Sequence, residues 1–314
     1  KYFYRTQLKI YQQDYTPSQS SFQVQLTVSN ETYLGFAVLE VPFNYPPQGG
    51  QLEVNPVIGY SLTTEFILTA SLWSDEELPL GYQFLASYQA DELPSGLSLM
   101  QSEPFIQTYL SASTPISTVY LFVLVTDSLG AQSSANTTVE VRMAYNTLEE
   151  AVNKVGERLD ELLSKDLSPE EIMKEVSVLS KELENFEKLA FDTQKNPCPN
   201  CMDHGSCPQN EMCACANGWT LPDCSLSLDD FLEMITLKTK LIKTLNETYE
   251  NLGSEQDKEF YLSNLASLSN PYFNTNQTLS LIQGILSNHL QLANSSVPLT
   301  YHEAIYSSNI LSNL

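Results

Sequence analysis

Six cysteines fall between Cys198 and Cys224 in a chain of 314 residues that has no others. They run C-x2-C-x5-C-x5-C-x-C-x8-C through Cys198, Cys201, Cys207, Cys213, Cys215 and Cys224. Thiols clustered in this way support two chemistries. Oxidised in pairs, they crosslink a segment too short to bury a core of its own. Reduced, Cys198, Cys201, His204 and Cys207 offer thiolates and an imidazole to zinc. Zinc sites usually draw on two well-separated ligand pairs, whereas these donors are unevenly spaced and a tight C-x-C follows. The even count and the spacing favour three disulfides, and disulfides place the chain in an oxidising compartment. Six cysteines allow fifteen connectivities, and the spacing does not choose among them.

A second chemistry is written in N-x-S/T. Asn30, Asn136, Asn246, Asn276 and Asn294 each head such a sequon, the acceptor pattern for N-linked glycans in secreted proteins. Catalytic patterns are scarce. The histidines are His204, His289 and His302. His302-Glu303 begins a zincin-like pattern, but Tyr306 stands where the second histidine would have to fall on the same helix face. No G-x-S-x-G, P-loop or dinucleotide fingerprint is present. The sequence therefore predicts no enzyme activity, no cofactor and no resident metal. Asp75-Glu76-Glu77 offers hard oxygen ligands of the kind calcium takes, and reads equally as a solvated turn.

The formal net charge is −23, and no Lys or Arg occurs between Lys9 and Arg142. Such a surface repels nucleic-acid phosphates and anionic lipid heads. It suits solubility, divalent cations or a basic partner. No apolar run is long enough to cross a bilayer, and neither a signal peptide nor an initiator Met is present. The expectation is a processed or excised ectodomain piece, extracellular or at the cell surface, whose parent protein carries any anchor.

The elements that must position these groups are legible in the periodicity. Phe22, Val24, Leu26 and Val28 alternate with polar residues, as a half-buried strand does. Phe36–Val41 and Tyr120–Val125 are apolar runs suited to strands buried on both faces, and Val139 and Val141 alternate again. Turn residues separate them at Pro46–Gly50, Pro94-Ser95-Gly96 and Asp127–Gly130. Strands at this rhythm predict an antiparallel sandwich, with Trp73 in its core. Residues 146–190 then read as helix through Leu148, Val152, Val155, Leu159 and Leu162. Ser168-Pro169-Glu170-Glu171 signals a helix start, with a capping box from Ser168 to Glu171. Ile172, Val176, Leu179, Leu183 and Phe186 form one apolar face beyond it. Helix resumes after Ser227 to about Leu252, followed by segments near 255–268, 277–292 and 300–313. The cysteine segment, lying between helices, is expected to protrude as a knob.

Two resemblances add to this. The cysteine spacing, with Gly205, the C-x-C and Gly218-Trp219 before Cys224, resembles an epidermal-growth-factor-like module. That resemblance implies the pairing Cys198–Cys207, Cys201–Cys213 and Cys215–Cys224. The calcium-binding variant has acidic residues before its first cysteine. Here Thr193–Pro197 stand there with only Asp192 nearby, so calcium is not implied. The stretch Pro46-Pro47-Gln48-Gly49-Gly50 through Pro56, Gly59, Leu62–Phe66, Trp73-Ser74-Asp75, Leu78-Pro79-Leu80 and Tyr82-Gln83-Phe84 resembles the receptor-for-egg-jelly (REJ) module of polycystin-family ectodomains. Val123–Ala131 is similar to the strand-and-turn end of that module's immunoglobulin-like sandwich. Leu262–Leu265 and Ile310–Leu314 are loosely similar to the helical stretch that follows it. Such proteins continue into a self-cleaving domain with a His-Leu-Ser/Thr site and into membrane spans. His289-Leu290-Gln291 has no nucleophile at the third position, so autoproteolysis is not implied.

The resulting expectation is an α+β multidomain chain. Residues 1–45 form a β segment that completes a preceding sandwich or pairs with a partner strand. Residues 46–145 form the REJ, immunoglobulin-like sandwich, 146–192 a helical hairpin, 193–225 the EGF-like module and 226–314 a helical domain. The function expected is that of a structural or adhesive glycoprotein of a coat, fibre or filament. It would act through protein or glycan contacts, with self-assembly by strand addition. The alternative is the ectodomain of a sensory or gamete-recognition receptor.

Overall fold

The structure, a computed structural model, describes residues 21–29, 34–90, 93–192, 201–208, 213–221, 223–252, 258–269, 275–293 and 301–313. It divides into two compact units, residues 1–46 and 47–314. In the first unit, strands β1 (Ser21–Ser29) and β2 (Leu34–Pro42) pair antiparallel, with Val24 opposite Leu39 and Gln25 opposite Val38. Ser21 Oγ donates to Glu40 Oε1 across the pair at 2.6 Å. The run from Phe36 to Val41 is not buried on both faces as its composition predicts. Phe36 is 70% and Leu39 63% exposed, because a two-stranded ribbon supplies no second layer among the described residues.

The second unit begins with eight strands. They are β3 (Gln51–Asn55), β4 (Ile58–Tyr60), β5 (Phe66–Ser71), β6 (Gly81–Ser87), β7 (Ser95–Gly96), β8 (Phe105–Thr108), β9 (Ile116–Thr126) and β10 (Gln132–Arg142). They form a three-stranded sheet, β3-β5-β8, and a five-stranded sheet, β4-β10-β9-β6-β7. Only the β4–β10 pair is parallel. On β9 the pleat sends Val119, Leu121, Val123 and Val125 to one face, all fully buried. There they meet Phe84, Phe66, Leu68 and Leu52, so both sheets share one apolar core. The intervening Tyr120, Phe122 and Leu124 stay half-exposed on the outer face; the run buries one face rather than the two its composition predicts. The β9–β10 turn closes on Asp127, whose Oδ1 accepts from the Leu129 and Ala131 N–H groups at 2.8 and 2.9 Å, with Gly130 at φ +93°.

The helices follow as α1 (Leu148–Ser164), α2 (Pro169–Asp192), α3 (Leu228–Leu252), α4 (Lys258–Leu268), α5 (Asn276–Ala293) and α6 (Tyr301–Asn313). Their starts are set by side chains. Thr147 caps α1 by accepting from the Glu150 N–H at 3.2 Å. At α2 the Glu171 carboxylate accepts from Ser168 N–H at 2.9 Å, and Ser168 Oγ accepts from Glu171 N–H at 3.3 Å, the reciprocal box read from the sequence. Ser227 caps α3 through the Asp230 N–H at 3.1 Å. A second core joins Val152, Val155 and Leu159 of α1, Val176, Leu179 and Leu183 of α2, Leu241 and Leu245 of α3, and Leu262 and Leu265 of α4.

Helix α2 does more than its apolar face predicts. Its polar side docks on the β region. Ser177 Oγ donates to the Gly96 carbonyl at 2.7 Å, and the Ala112 N–H donates to Glu182 Oε2 at 3.1 Å. Asn185 Nδ2 donates to Ser111 Oγ at 2.7 Å, and the Lys181 ammonium sits 5.3 Å from the centre of the Tyr88 ring. Gly96 has to be glycine for packing reasons: a Cβ there would lie 2.1 Å from Cδ2 of Phe260 on α4.

Glu182 is fully buried. Burial pushes its carboxyl above the ordinary range, opposed by hydrogen bonds from Ser111, Ala112, Tyr145 and Ser61. Its Oε1 and the neighbouring Tyr145 hydroxyl are sealed from solvent without a well-formed hydrogen bond. The folded chain therefore keeps a proton on Glu182 at pH values where the unfolded chain has lost it. That contribution to stability is complete below the unfolded pKa and is lost as pH rises through the folded one. Glu182→Gln keeps an acceptor for Ala112 N–H without the titration. Its stability relative to wild type, from denaturant midpoints, should rise between pH 5 and pH 8, by at most about 1.4 kcal/mol per pH unit. A pH-independent difference would show that Glu182 stays ionised in its site.

Candidate functional site

The cysteine segment folds as two small ribbons. Strands β11 (Gly205–Ser206) and β12 (Ala214–Cys215) pair, as do β13 (Trp219–Thr220) and β14 (Leu226–Ser227). Cys201 is bonded to Cys213 and Cys215 to Cys224. Cys207 is also oxidised, and no described cysteine is free. Cys198, and with it the Cys198–Cys207 bridge, lies outside the described residues. With these sulfurs oxidised, the thiolates of a zinc site are gone. His204 instead stacks on Trp219, ring centres 3.4 Å apart and 4° from parallel. A Cβ on Gly205 would come 2.7 Å from the Ala214 carbonyl oxygen and 2.8 Å from Cys224 Sγ, so the ribbon closes only over glycine.

The segment is not simply a knob. Cys224 is fully buried, and Leu221 and Leu226 are part of the helical core. The Leu228 N–H donates to the Gly218 carbonyl at 2.8 Å, tying the second ribbon to the start of α3. The apolar residues between and after the last cysteines anchor it.

A cleft of about 250 Å³ lies where the β region meets α1. Leu62, Thr63 and Tyr109 form one wall and Lys154, Glu157, Arg158 and Glu161 the other. The Arg158 guanidinium lies 3.9 Å over the Tyr109 ring and bridges to Glu161 at 2.7 Å and Glu175 at 3.2 Å. Burial opposes its charge, but Glu175, Tyr109 and Glu161 hold its pKa above the usual value. Burial conversely raises Glu175, against the pull of Arg158. Leu62 reaches the cleft in the left-handed region at φ +54°. Fixed charges of both signs beside an aromatic edge suit a polar ligand or a partner's side chains. No local pattern announces this cleft, because its walls come from residues about fifty to a hundred positions apart.

The other sequence-singled residues scatter. Trp73 is half-buried rather than central. Its indole packs on the rim of the sheet core over Gly50, where a Cβ would lie 1.9 Å from the ring. The chain passes through Leu72 at φ +63° just before it and so turns the indole to the core's edge. Asp75 accepts from the Glu77 N–H at 2.8 Å, forming a turn. The Asp75 hydrogen bond and burial raise the Glu77 carboxyl. Among the described residues no cluster of acids, histidines or cysteines forms a metal site. Asn136 lies within β10 and is exposed. Asn246 sits mid-α3, where its Nδ2 donates to Glu250 at 2.9 Å and its Oδ1 accepts from the Tyr261 hydroxyl at 3.1 Å. Asn276 opens α5 and is exposed. Asn30 and Asn294 lie outside the described residues. His289 is on α5 and His302 on α6.

The REJ domain family model matches residues 15–173, just over half of the chain, and the chain belongs to that family. The match takes in both cleft walls and the first turn of α2. The chain is similar to the mouse (Mus musculus) polycystin family receptor for egg jelly, 26% identical over 147 residues. That alignment covers 42% of this chain and 7% of the receptor, so the chain spans a small fraction of its relative's length. Among solved structures, a carbohydrate-binding module of the β-sandwich superfamily aligns over 34% of this chain and 38% of its own, at 22% identity and TM-score 0.26. A β-1,2-glucanase from Parabacteroides distasonis aligns over 75% of this chain and 37% of its own, at 11% identity and TM-score 0.22. Scores of this size do not establish a common fold.

The two described bridges close loops of similar length, 12 and 9 residues apart. On loop entropy alone each contributes roughly 2.5–3 kcal/mol. Cys224 is also packed next to the helical core. Replacing Cys215 and Cys224 by serine should therefore lower the melting temperature of the whole protein further than replacing Cys201 and Cys213. Equal losses would show that the second ribbon is not coupled to the helices.

Proposed function

We propose that this chain is an ectodomain segment of a REJ-type receptor, acting outside the cell through protein or glycan contacts and without catalysis of its own. The observation that carries this reading is the family match itself. It spans the shared-core β region and enters α2, the helix against which α3 and α4 pack. On this reading the two facing sheets are the immunoglobulin-like sandwich of the module. The oxidised segment between α2 and α3 is an EGF-like insertion, supported by bridges Cys201–Cys213 and Cys215–Cys224. Oxidised cysteines fit an extracellular setting, and no described helix is long and apolar enough to cross a membrane. The cleft beside Tyr109 and Arg158 is the first place to look for contact with a partner.

A coat or fibre role has one observation in its favour: the exposed Phe36, Val38 and Leu39 on the two-stranded β1–β2 ribbon. An unpaired apolar ribbon invites strand addition by another chain.

Staining intact, unpermeabilised cells that make the full-length protein, with an antibody raised against this chain, tests the receptor reading. Surface signal, abolished by external protease, is expected. Signal only after permeabilisation, together with alkylatable thiols in the unreduced protein, would overturn it. Sedimentation of the purified chain separates the two roles: the receptor reading expects a monomer. Filaments that dissolve when Val24 and Leu39 become Asp would favour the fibre role.

A further inference from the structure

We propose that Asn136 is an occupied glycan acceptor, and that the first sugar of its glycan packs on Phe122 and Leu85, covering the outer face and open edge of the five-stranded sheet. The proposal rests on the extracellular reading above. Its argument begins with the register. Asn136 on β10 is paired with Phe122 on β9, and Phe122 with Leu85 on β6. Directly opposed residues of antiparallel strands share a face, with Cβ atoms roughly 5 Å apart. Asn136, Phe122 and Leu85 therefore make one continuous row on the face away from the core. Phe122 and Leu85 are half-exposed there, while the core side of the same strands holds Phe84, Leu121 and Val123.

The sequon geometry singles out this asparagine. Residues i and i+2 of a strand point the same way. Asn136 and Thr138 are both exposed on this outer face. At the other two described sequons the hydroxyl partner is buried: Thr248 is 6% exposed and Thr278 1%. The Thr278 hydroxyl is held by Thr275 and Thr239 at 2.9 and 3.2 Å, and the Asn246 amide by Glu250 and Tyr261. In the folded chain, Asn136 presents both halves of its sequon to solvent.

The surroundings explain what a sugar would do there. β4 pairs with β10 only from Glu140 to Arg142. From Gln132 to Val139 the outer edge of β10 has no hydrogen-bonded strand partner among the described residues, although β3 of the other sheet runs close to it. Open edges template intermolecular pairing, and a bulky hydrophilic group on the edge blocks it. The apolar C–H face of an N-acetylhexosamine is complementary to the negative face of a phenyl ring. Attachment is a glycosyl transfer. The Asn136 Nδ2 attacks the anomeric carbon of a lipid-pyrophosphate-linked oligosaccharide. The new N–C bond replaces the sugar–phosphate bond, the lipid pyrophosphate leaves, and the amide proton passes to a base of the transferring enzyme.

The test uses the secreted chain from a eukaryotic host, with glycopeptide mass spectrometry at each sequon and thermal melts. Thr138→Ala abolishes the acceptor while keeping Asn136. Glycan-bearing Asn136 peptide is expected. Thr138→Ala should lower the melting temperature by about 2–4 °C, and the same change in a Phe122→Ser background by less than half as much. An unmodified Asn136 peptide beside modified Asn246 or Asn276 peptides would overturn the site while leaving the extracellular reading intact. Equal shifts in the two backgrounds would overturn the packing on Phe122. No glycan at any sequon, with free thiols, would overturn both the site and the reading beneath it.

Discussion

A charged side chain removed from water costs several kcal/mol unless a partner and hydrogen bonds replace the water. Helix α2 buries Lys181 and Glu187 in that position and Glu182 beside them as an acid whose proton burial favours. The architecture of the second unit follows from how they are satisfied. Lys238 of α3 meets Glu187 at 2.7 Å with both side chains essentially out of solvent. Burial raises Glu187 to about 7 and lowers Lys238, while each group's charge pulls the other back. Glu184 resists burial and is held down at about 2 by Lys181 and Lys188, which bond it at 3.1 and 2.6 Å. Glu182 has no cation, so it takes N–H and O–H donors from the β region instead. The pairs at Glu184 lie within α2 and move with it, but Lys238 comes from α3 and the donors to Glu182 from the β region, so α2 cannot rotate or shift a turn without stranding both buried acids. Polar contacts of this kind fix register more than they add net stability, while the leucines and valines around them supply the burial.

The disulfide segment sits between the two longest helices, and among the described residues Leu221 and Leu226 at its C-terminal end join that core. Leu221 and Leu226 enter the core and Cys224 between them is fully buried, whereas Gly205, Ser206 and Cys207 remain exposed although Cys201 is buried. The second bridge thus acts as a staple on a packed site. The first holds the β11–β12 ribbon, and His204 beside it stacks on Trp219 of the second ribbon. That graded burial leaves one end rigid and one end accessible.

Much of the fold was legible in the sequence because its signals are local. The capping box at Ser168, the alternation at Val139 and Val141, and the three- to four-residue spacing from Val152 to Leu162 depend only on near neighbours. The misreadings share a physical cause. Tyr120, Phe122 and Leu124 look like core residues, but whether a face is covered depends on a second layer that no local pattern encodes. Conversely, Ser177, Glu182 and Asn185 look like a solvent face, and are buried because Ser111, Ala112 and Gly96 supply matching donors and acceptors from some seventy to eighty residues away. The cleft at Tyr109 and Arg158 was invisible for the same reason.

The distribution of positive charge carries this logic to the surface. The chain has 15 Lys and Arg against 38 Asp and Glu. Among the described residues, Arg142, Arg158, Lys165, Lys181, Lys188, Lys238 and Lys240 sit in ion pairs, and Lys181 and Lys238 are buried. Cations are thus drawn toward the helices, where α2 needs them. The β region between Lys9 and Arg142 has none. Its outer surface is left with carboxylates, amides, hydroxyls and half-exposed aromatics. Such a surface repels anionic partners and membranes at a distance. The cations that hold the interior together are thereby withheld from the β surface, which stays acidic.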